Sequence, residues 1–539
     1  MVPASADKHE ALFYRVLLFL AGLLIVPALV INLGSQAFID DEGIRSLVAF
    51  EMLQSGDYIH TTINGEPYFK KPPLYNWILA SGFSLTGTIN EWTARLPTVL
   101  FLLLFIFGIY SSVYRATDDQ QTGLIAAGLT LTCGRILFWD SFLGLIDICF
   151  SALIYANFMW LYFTFRKQKW ATYFIGSWLM TALAFLLKGL PGLVFQALTV
   201  IGHLLWERQW KKLFHPAHFV GAGLFFLIIG AYYYLLLQGS DPAQVFGTLF
   251  KESAQRTPTH HDWKTTVGHL FAFPAEMTYH FLPWSILLVF IFPLHNLKER
   301  LTHPFIQFIL LVFAVNIPIY WISPQVYPRY LLMLAPLVFT TGYWLHRQAN
   351  PTAWNAQFFR LLFLIVGALL ALLAWAPLFI PQTQSAAYLL PKTLFIAFLM
   401  SLCAWVLWSY RRLFFLALIV QLLALRLAFD WFVIPDRIIH DTATAARADA
   451  IRVGKDYKDK ALYFLEHICL ETTPSFYLAT NRNQITKVWR QAPEPETAYL
   501  VSGDAQLVPG YQVLDTLRIR HFNDRTPYVL LISYPQPPE

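Results

Sequence analysis

Charge is scarce in this chain of 539 residues: Asp, Glu, Lys and Arg make up 13% of it, against about a quarter in a soluble domain. With 56% hydrophobic residues and a mean hydropathy of +0.48, that shortage excludes a soluble enzyme and a disordered chain alike. Cysteine is scarce too. Cys133, Cys149, Cys403 and Cys469 show no CxxC spacing, which excludes a disulfide framework and a thioredoxin-like centre. There is no Walker A loop and no GxGxxG after a strand, so no nucleotide cofactor is implied. The histidines of "TPTHHDWKTTVGH" lack the HxxxH or HExxH spacing of a metal site. No internal repeat or low-complexity tract is present. The net charge of +6 is no nucleic-acid footprint, because most of the lysines and arginines sit in short loops between apolar runs.

Those apolar runs dominate the sequence. A span needs roughly 17–25 residues, and runs of about that length lie near 12–33, 96–114, 122–138, 141–165, 171–187, 190–206, 217–238, 282–297, 304–322, 330–346, 359–380, 390–409 and 412–434. The expectation is therefore a mostly α, polytopic membrane protein with about thirteen transmembrane helices over residues 1–434. The first run exceeds a signal-peptide core and is expected to remain as an anchor. Alternate loops carry Arg115, "RKQK", "ERQWKK", "LKER", "HRQ" and "YRR". Basic short loops face the cytoplasm, which places the N-terminus inside and two long loops, 34–95 and 239–281, outside. From 435 to 539 the composition turns polar. "HDTATAARADAIR" suits a helix, while "ALYFLE", "QITKVW", "TAYLVSG" and "YVLLISY" suit short strands, predicting a small extracytoplasmic α/β domain.

Ionisable residues near spans are costly and become functional candidates when they share one face. Asp40, Asp41 and Glu42 follow the first span, ahead of a stretch whose apolar spacing predicts a short amphipathic helix on the membrane surface; an N-terminal cap is their plain explanation. Asp140 and Asp147, seven apart, are expected on one helix face near the outer end of the fourth span. Lys188 in "LLKGLPG" and Arg329 in "SPQVYPRY" sit at outer ends beside helix breakers or tyrosines; snorkelling and an aromatic belt would also account for them. Tyr68, Tyr327, Tyr330, His260 and His261 are possible substrate contacts. In "PYFKKPPLYNW" the prolines impose extended backbone and limit the freedom of Lys71. Acids and cations thus gather outside, where lysine and arginine suit phosphate oxygens and a carboxylate suits an attacking hydroxyl or a charged sugar ring.

Taken in order, Asp41-Glu42, "MLQSGD", "YFKKPP" and "RLP" resemble the first outer loop of GT-C membrane glycosyltransferases. The resemblance is to the branch holding protein O-mannosyltransferases and the lipid A aminoarabinose transferase. It is strong over residues 38–100 and weaker along "FLPWS", "LLKGLPG" and "PRYLLMLAP". It implies transfer of a sugar from a polyprenyl-phosphate donor to a lipid A-like, glycan or protein acceptor at the periplasmic face of a bacterial inner membrane. Carried over, Asp41 is the catalytic or acceptor-facing acid with Glu42 beside it, and Asp147, or Asp140, is the second acid. Lys71 binds the donor phosphate with Lys188 and, possible in the same role, Arg329. No metal or other cofactor is required on this reading. One departure stands out: many relatives have an acid where this chain has Lys70. The competing class is a transporter or flippase of an anionic lipid-linked saccharide, which would favour polar residues at mid-membrane and pseudo-repeated halves.

Overall fold

The computed structural model describes residues 8–254, 263–384, 386–495, 497–503, 505, 510–518 and 528–535. It is mostly helical, and its first eleven helices, with the turns between them, hold Asp41, Glu42, Tyr68, Lys71, Asp140, Asp147 and Lys188. They are α1 (Lys8–Val30), α2 (Glu42–Ser55), α3 (Leu74–Thr86), α4 (Glu91–Thr117), α5 (Gln120–Leu131), α6 (Gly134–Phe138), α7 (Ile146–Arg166), α8 (Trp170–Lys188), α9 (Pro191–Trp206), α10 (Pro216–Leu236) and α11 (Pro242–Ala254). Among the described residues nine helices are long and apolar enough to cross a bilayer, ten if the bent pair Gln120–Leu131 and Gly134–Phe142 is one span.

The expected count of thirteen is not reached by that test, and the reason is local. Helix α9 has 16 residues, about 24 Å at 1.5 Å per residue and short of a ~30 Å core. The run at 282–297 is a 3-10 turn, Trp284–Ile291, set between Pro283 and Pro293. That at 330–346 divides into a 3-10 turn at Pro328–Leu331 and a 13-residue helix, Ala335–Arg347, with Pro336 in its first turn. Proline removes an amide donor and interrupts helices that hydropathy alone would join.

The amphipathic helix expected on the membrane surface is α2, but it is not at a surface. Arg45, Leu47, Val48, Phe50, Glu51 and Met52 are all buried. It packs between α3 and the C-terminal helix Thr472–Arg482. A polar face survives such burial only when its groups are paired, and Glu51 is. It accepts from Thr62 Oγ1 at 2.6 Å, Asn64 N at 2.5 Å and Gly65 N at 3.2 Å. Burial nevertheless pushes its carboxyl above the ordinary range, with those bonds opposing the shift.

Beyond the membrane region the last span-length helix runs on to His440, and helix Thr442–Asp456 follows it. Five strands then form one sheet: β3 (Leu462–Leu465), β4 (Val488–Trp489), β5 (Ala498–Ser502), β6 (Gln512–Arg518) and β7 (Tyr528–Ser533), in the order β4-β3-β5-β7-β6. β3 is parallel to β4 and β5, with Phe464 opposite Leu500, whereas β7 is antiparallel to β5 and β6. Helix Thr472–Arg482 and β6 escape the sequence pattern; β6 is an edge strand with mostly exposed residues, so apolar alternation hardly marks it.

The basic loops lead us to expect this sheet outside the cytoplasm. Thr516 is exposed on β6, and Cys469 is the one cysteine not buried. In a Cys469→Ser background, an impermeant maleimide should label Thr516→Cys in intact spheroplasts. Labelling only after lysis would reverse the orientation.

Candidate active site

The segment between α1 and α2 is organised by Arg95 of "RLP". This fully buried side chain donates to both oxygens of Glu42 at 2.7 and 2.9 Å, to the carbonyls of Leu33 and Gln36 at 2.8 and 2.9 Å, and to that of Ala37 at 3.2 Å. Glu42 also accepts from Ile39 N at 2.8 Å and Gly144 N at 2.6 Å. Its oxygens are committed to holding three chain segments together, and it is 0% exposed. Glu42, a candidate catalytic acid by sequence, therefore has a positioning role in this structure. Asp41 differs. It occupies the N-cap place of α2 without any side-chain cap hydrogen bond, so capping does not explain it. Its half-buried carboxylate has no hydrogen bond or ion pair among the described residues.

Lys71 is placed by a hairpin. Asn64 and Gly65 both have positive φ, 53° and 76°, as a two-residue Asn-Gly turn requires. They join β1 (Thr62–Ile63) to β2 (Glu66–Pro67), and Tyr68 N closes on Thr61 O at 2.8 Å. Pro72 and Pro73 are buried, and Pro73 is the N-cap of α3. Held from both sides, Lys70 is exposed while the Lys71 side chain is only 15% exposed, 3.6 Å from Glu252 of α11. Tyr68 faces inward, packed against Val48 and Met52 with Arg45 5.7 Å from its ring centre.

Next to this loop lies a knot of buried charge. Lys188 Nζ donates to Asp147 Oδ1 at 2.5 Å, and both residues are nearly inaccessible. Arg329 Nε stands 3.5 Å from Asp147 Oδ2, and its Nη1 donates to Asp40. Burial works against the charge on Arg329, yet Asp147 and Asp40 hold its pKa above the ordinary guanidinium range. Lys71 is within electrostatic reach of Asp147. Lys188 Nζ lies 4.0 Å from the ring centre of buried Tyr330, and the Arg329 guanidinium 4.7 Å from that of exposed Tyr327. Lysine and arginine here are as much aromatic-stacked as ion-paired.

Asp140 and Asp147 do not share a helix face. Asp140 lies in a 3-10 turn, Asp140–Phe142, and Asp147 in the first turn of α7, with a break at Gly144 between them. Asp140 is bound by both Arg135 Nε and Nη2, at 2.8 and 3.0 Å, and is 2% exposed. The spacing argument fails because the helix assumed in it does not exist there. His260 and His261 lie outside the described residues. Sequence reasoning missed Arg135, Glu252 and Arg95. Arg135 had a local signal, a cation directly after Gly134 and five residues before an acid; Glu252 had none.

The C-terminal domain reaches this site. The Tyr477 hydroxyl donates to Glu91 at 2.8 Å and accepts from Phe38 N at 3.0 Å. Burial and the neighbouring Glu91 keep that hydroxyl far above its usual pKa, hence protonated. Arg447 adds contacts to Glu91 at 3.0 Å and to Ser35 O at 3.1 Å. Phe38, two residues before Asp40, packs a tilted ring against Phe476 and stacks with Tyr477, at centroid distances of 4.9 and 5.8 Å.

Comparison with known proteins gives this geometry a setting. Residues 70–234 match the model of the dolichyl-phosphate-mannose-protein mannosyltransferase family. An uncharacterized protein of Aquifex aeolicus is 26% identical across 58% of this chain and 62% of its own length. The undecaprenyl phosphate-alpha-4-amino-4-deoxy-L-arabinose arabinosyl transferase of Pseudomonas aeruginosa is 26% identical over 180 residues, 33% of this chain and 32% of that protein. The chain thus spans less than two thirds of either relative. ArnT from Cupriavidus metallidurans, crystallised bound to undecaprenyl phosphate, superposes over 97% of this chain and 99% of its own with a TM-score of 0.67 and 19% identity; its apo state gives 0.64. The class the fold defines is a helical protein with nine helices, among the described residues, long and apolar enough to cross a membrane, folded like ArnT over nearly its whole length. Within that class the chain is similar to the ArnT-like branch, as its outer-loop motifs indicate.

Proposed function

We propose that this protein is a membrane glycosyltransferase taking a sugar from a polyprenyl-phosphate carrier to an acceptor on the outer face of a bacterial inner membrane. The observation that carries the reading is the placement of Lys71. A rigid hairpin and two buried prolines hold its ammonium within electrostatic reach of Asp147 in the Asp147–Lys188–Arg329 cluster, in the same outer segment as Asp41, whose carboxylate has no partner among the described residues. Carriers named for the relatives, a dolichyl or an undecaprenyl phosphate, have the anionic headgroup such a cation suits.

In this mechanism the acceptor oxygen attacks the anomeric carbon from the face opposite the phosphate. The new C–O bond forms as the old one breaks, the electron pair leaves with polyprenyl phosphate, and the configuration inverts. Lys71 meets the growing charge on the departing oxygens. Lys188 and Arg329 are already ion-paired, so they act chiefly by fixing Asp147 and Asp40 in place. Asp41 takes the proton from a hydroxyl acceptor; an acceptor that is itself a phosphate needs no base, and there Asp41 orients it. Lipid A-like, glycan and protein acceptors all remain within this scheme.

Purified protein supplied with radiolabelled undecaprenyl-phosphate pentose or hexose and an envelope-lipid extract should move label into an acceptor and release undecaprenyl phosphate. Passage of the labelled lipid across proteoliposomes with its headgroup intact would put a transporter in its place. Because side-chain cations supply the positive charge, transfer is expected to keep at least half its rate in excess EDTA. Abolition by EDTA and rescue by one divalent ion would return a metal to the mechanism.

A further inference from the structure

Two large apolar cavities open in the helical region, and they differ in one respect. The first, about 370 Å³ between helix Trp263–His280 and helices Pro304–Asn316 and Ala335–Arg347, has no charged residue in its lining. The second, about 810 Å³ between α4, α7 and α8, has three: Arg115, Lys167 and Lys169. No acid lines it. All three cations sit at one end, where α4 and α7 finish and α8 begins, and this is the end of the bundle opposite the Asp147–Lys188 pair.

Loop cations at that end are expected from topology alone. What topology does not require is that they be left unpaired at the mouth of a groove. Arg347, at the same end, is bound by Asp119. Among the described residues none of Arg115, Lys167 or Lys169 has an acidic partner. Arg115 is oriented by the Phe163 ring, 5.0 Å away. Deeper in, the polar groups of the wall are satisfied within it: Ser112 bonds Tyr155 at 2.7 Å, and Thr164 bonds Trp160 O at 2.6 Å. Between Phe101 and Arg115 the wall extends about 21 Å at the helical rise, more than one leaflet of a ~30 Å core.

We infer that this groove binds an anionic phospholipid from the leaflet opposite the candidate active site, with an acyl chain between α4 and α7 and its phosphate on Arg115, Lys167 and Lys169. The site is separate from the proposed donor phosphate position at Lys71. Its occupant is a lipid because the walls are apolar along the whole chain length, and an anionic one because every charge at the mouth is positive.

Native mass spectrometry of the full-length protein in detergent tests it, with phosphatidylglycerol and phosphatidylcholine of identical chains as probes. Phosphatidylglycerol should be retained at least about tenfold more tightly, since several basic residues near an anionic headgroup each add to the attraction. Arg115→Ala/Lys167→Ala/Lys169→Ala, all exposed positions, should erase the preference and leave phosphatidylcholine binding unchanged. Ala156→Trp, exposed on the groove wall, should weaken both lipids. Millimolar inorganic phosphate should displace neither; displacement by it would mean a headgroup-only anion site. Equal retention of the two lipids by the unaltered protein, or an unchanged preference in the triple variant, would overturn the inference. Because the readout is binding, neither result depends on sugar transfer.

Discussion

Lys71→Ala should lower sugar transfer roughly 30-fold or more while leaving the protein folded. Losing a buried ionic contact of this kind costs about 2–5 kcal/mol, and each 1.36 kcal/mol is tenfold in rate. The fold should tolerate the change because the Lys71 ion pair to Glu252 is long, at 3.6 Å, and Glu252 retains 25% exposure. Lys70→Ala is the matched control. Its side chain is exposed one residue away, and near-normal turnover is expected. Lys188→Ala should behave differently from both. It removes the closest partner of buried Asp147 and leaves it only the longer pair with Arg329 at 3.5 Å, a loss of up to about 3–5 kcal/mol, so the effect should appear first as a lower yield of folded protein. Lys71→Arg is expected to restore little, because a planar fork on a rigid loop does not reproduce a compact ammonium. Rates and protein yield measured together for these four variants separate the roles. A dead Lys70→Ala beside a normal Lys71→Ala would show that the donor phosphate meets the other lysine.

The contrast between these lysines illustrates what a sequence can and cannot display. "KKPP" announces a constrained cation because proline acts on its immediate neighbours, and local effects are legible locally. The Asn-Gly turn that aims the loop is equally local. Which lysine points inward is not, because that depends on Glu51 gathering the hairpin beneath α2, a contact across 13 residues and one turn of chain. The helix at α2 was evident from its apolar spacing, but its burial was not, since the covering helix Thr472–Arg482 is more than 400 residues away in sequence. Hydropathy identified the long spans, and the expected runs that no single long helix covers are those where proline breaks the backbone at Pro283, Pro293 and Pro336 and where α9 is short. The acids at 140 and 147 were recognisable as costly, yet their partners, Arg135 for one and Lys188 with Arg329 for the other, follow from a break at Gly144 that periodicity passes over.

Asp41→Asn should slow transfer to a hydroxyl acceptor by about 10²–10⁴, the usual range for a general base, with little change in the apparent affinity for donor. The two neighbouring acids are spoken for: Asp40 is bound to Arg329, and Glu42 is enclosed by Arg95, Ile39 and Gly144. Asp41 alone of the three presents a half-exposed carboxylate without a hydrogen bond among the described residues, a few residues after backbone that Arg95 holds at Ala37 and Tyr477 at Phe38. Asparagine keeps the size and removes the proton acceptor. Since the carboxylate takes no part in the cation cluster, donor binding should survive. Glu42→Gln serves as the contrast, because weakening its pair with Arg95 should reduce thermal stability and protein yield rather than the rate per folded molecule. Full activity in Asp41→Asn would remove this acid as a base and favour an acceptor that attacks through an oxygen already ionised, such as a phosphate.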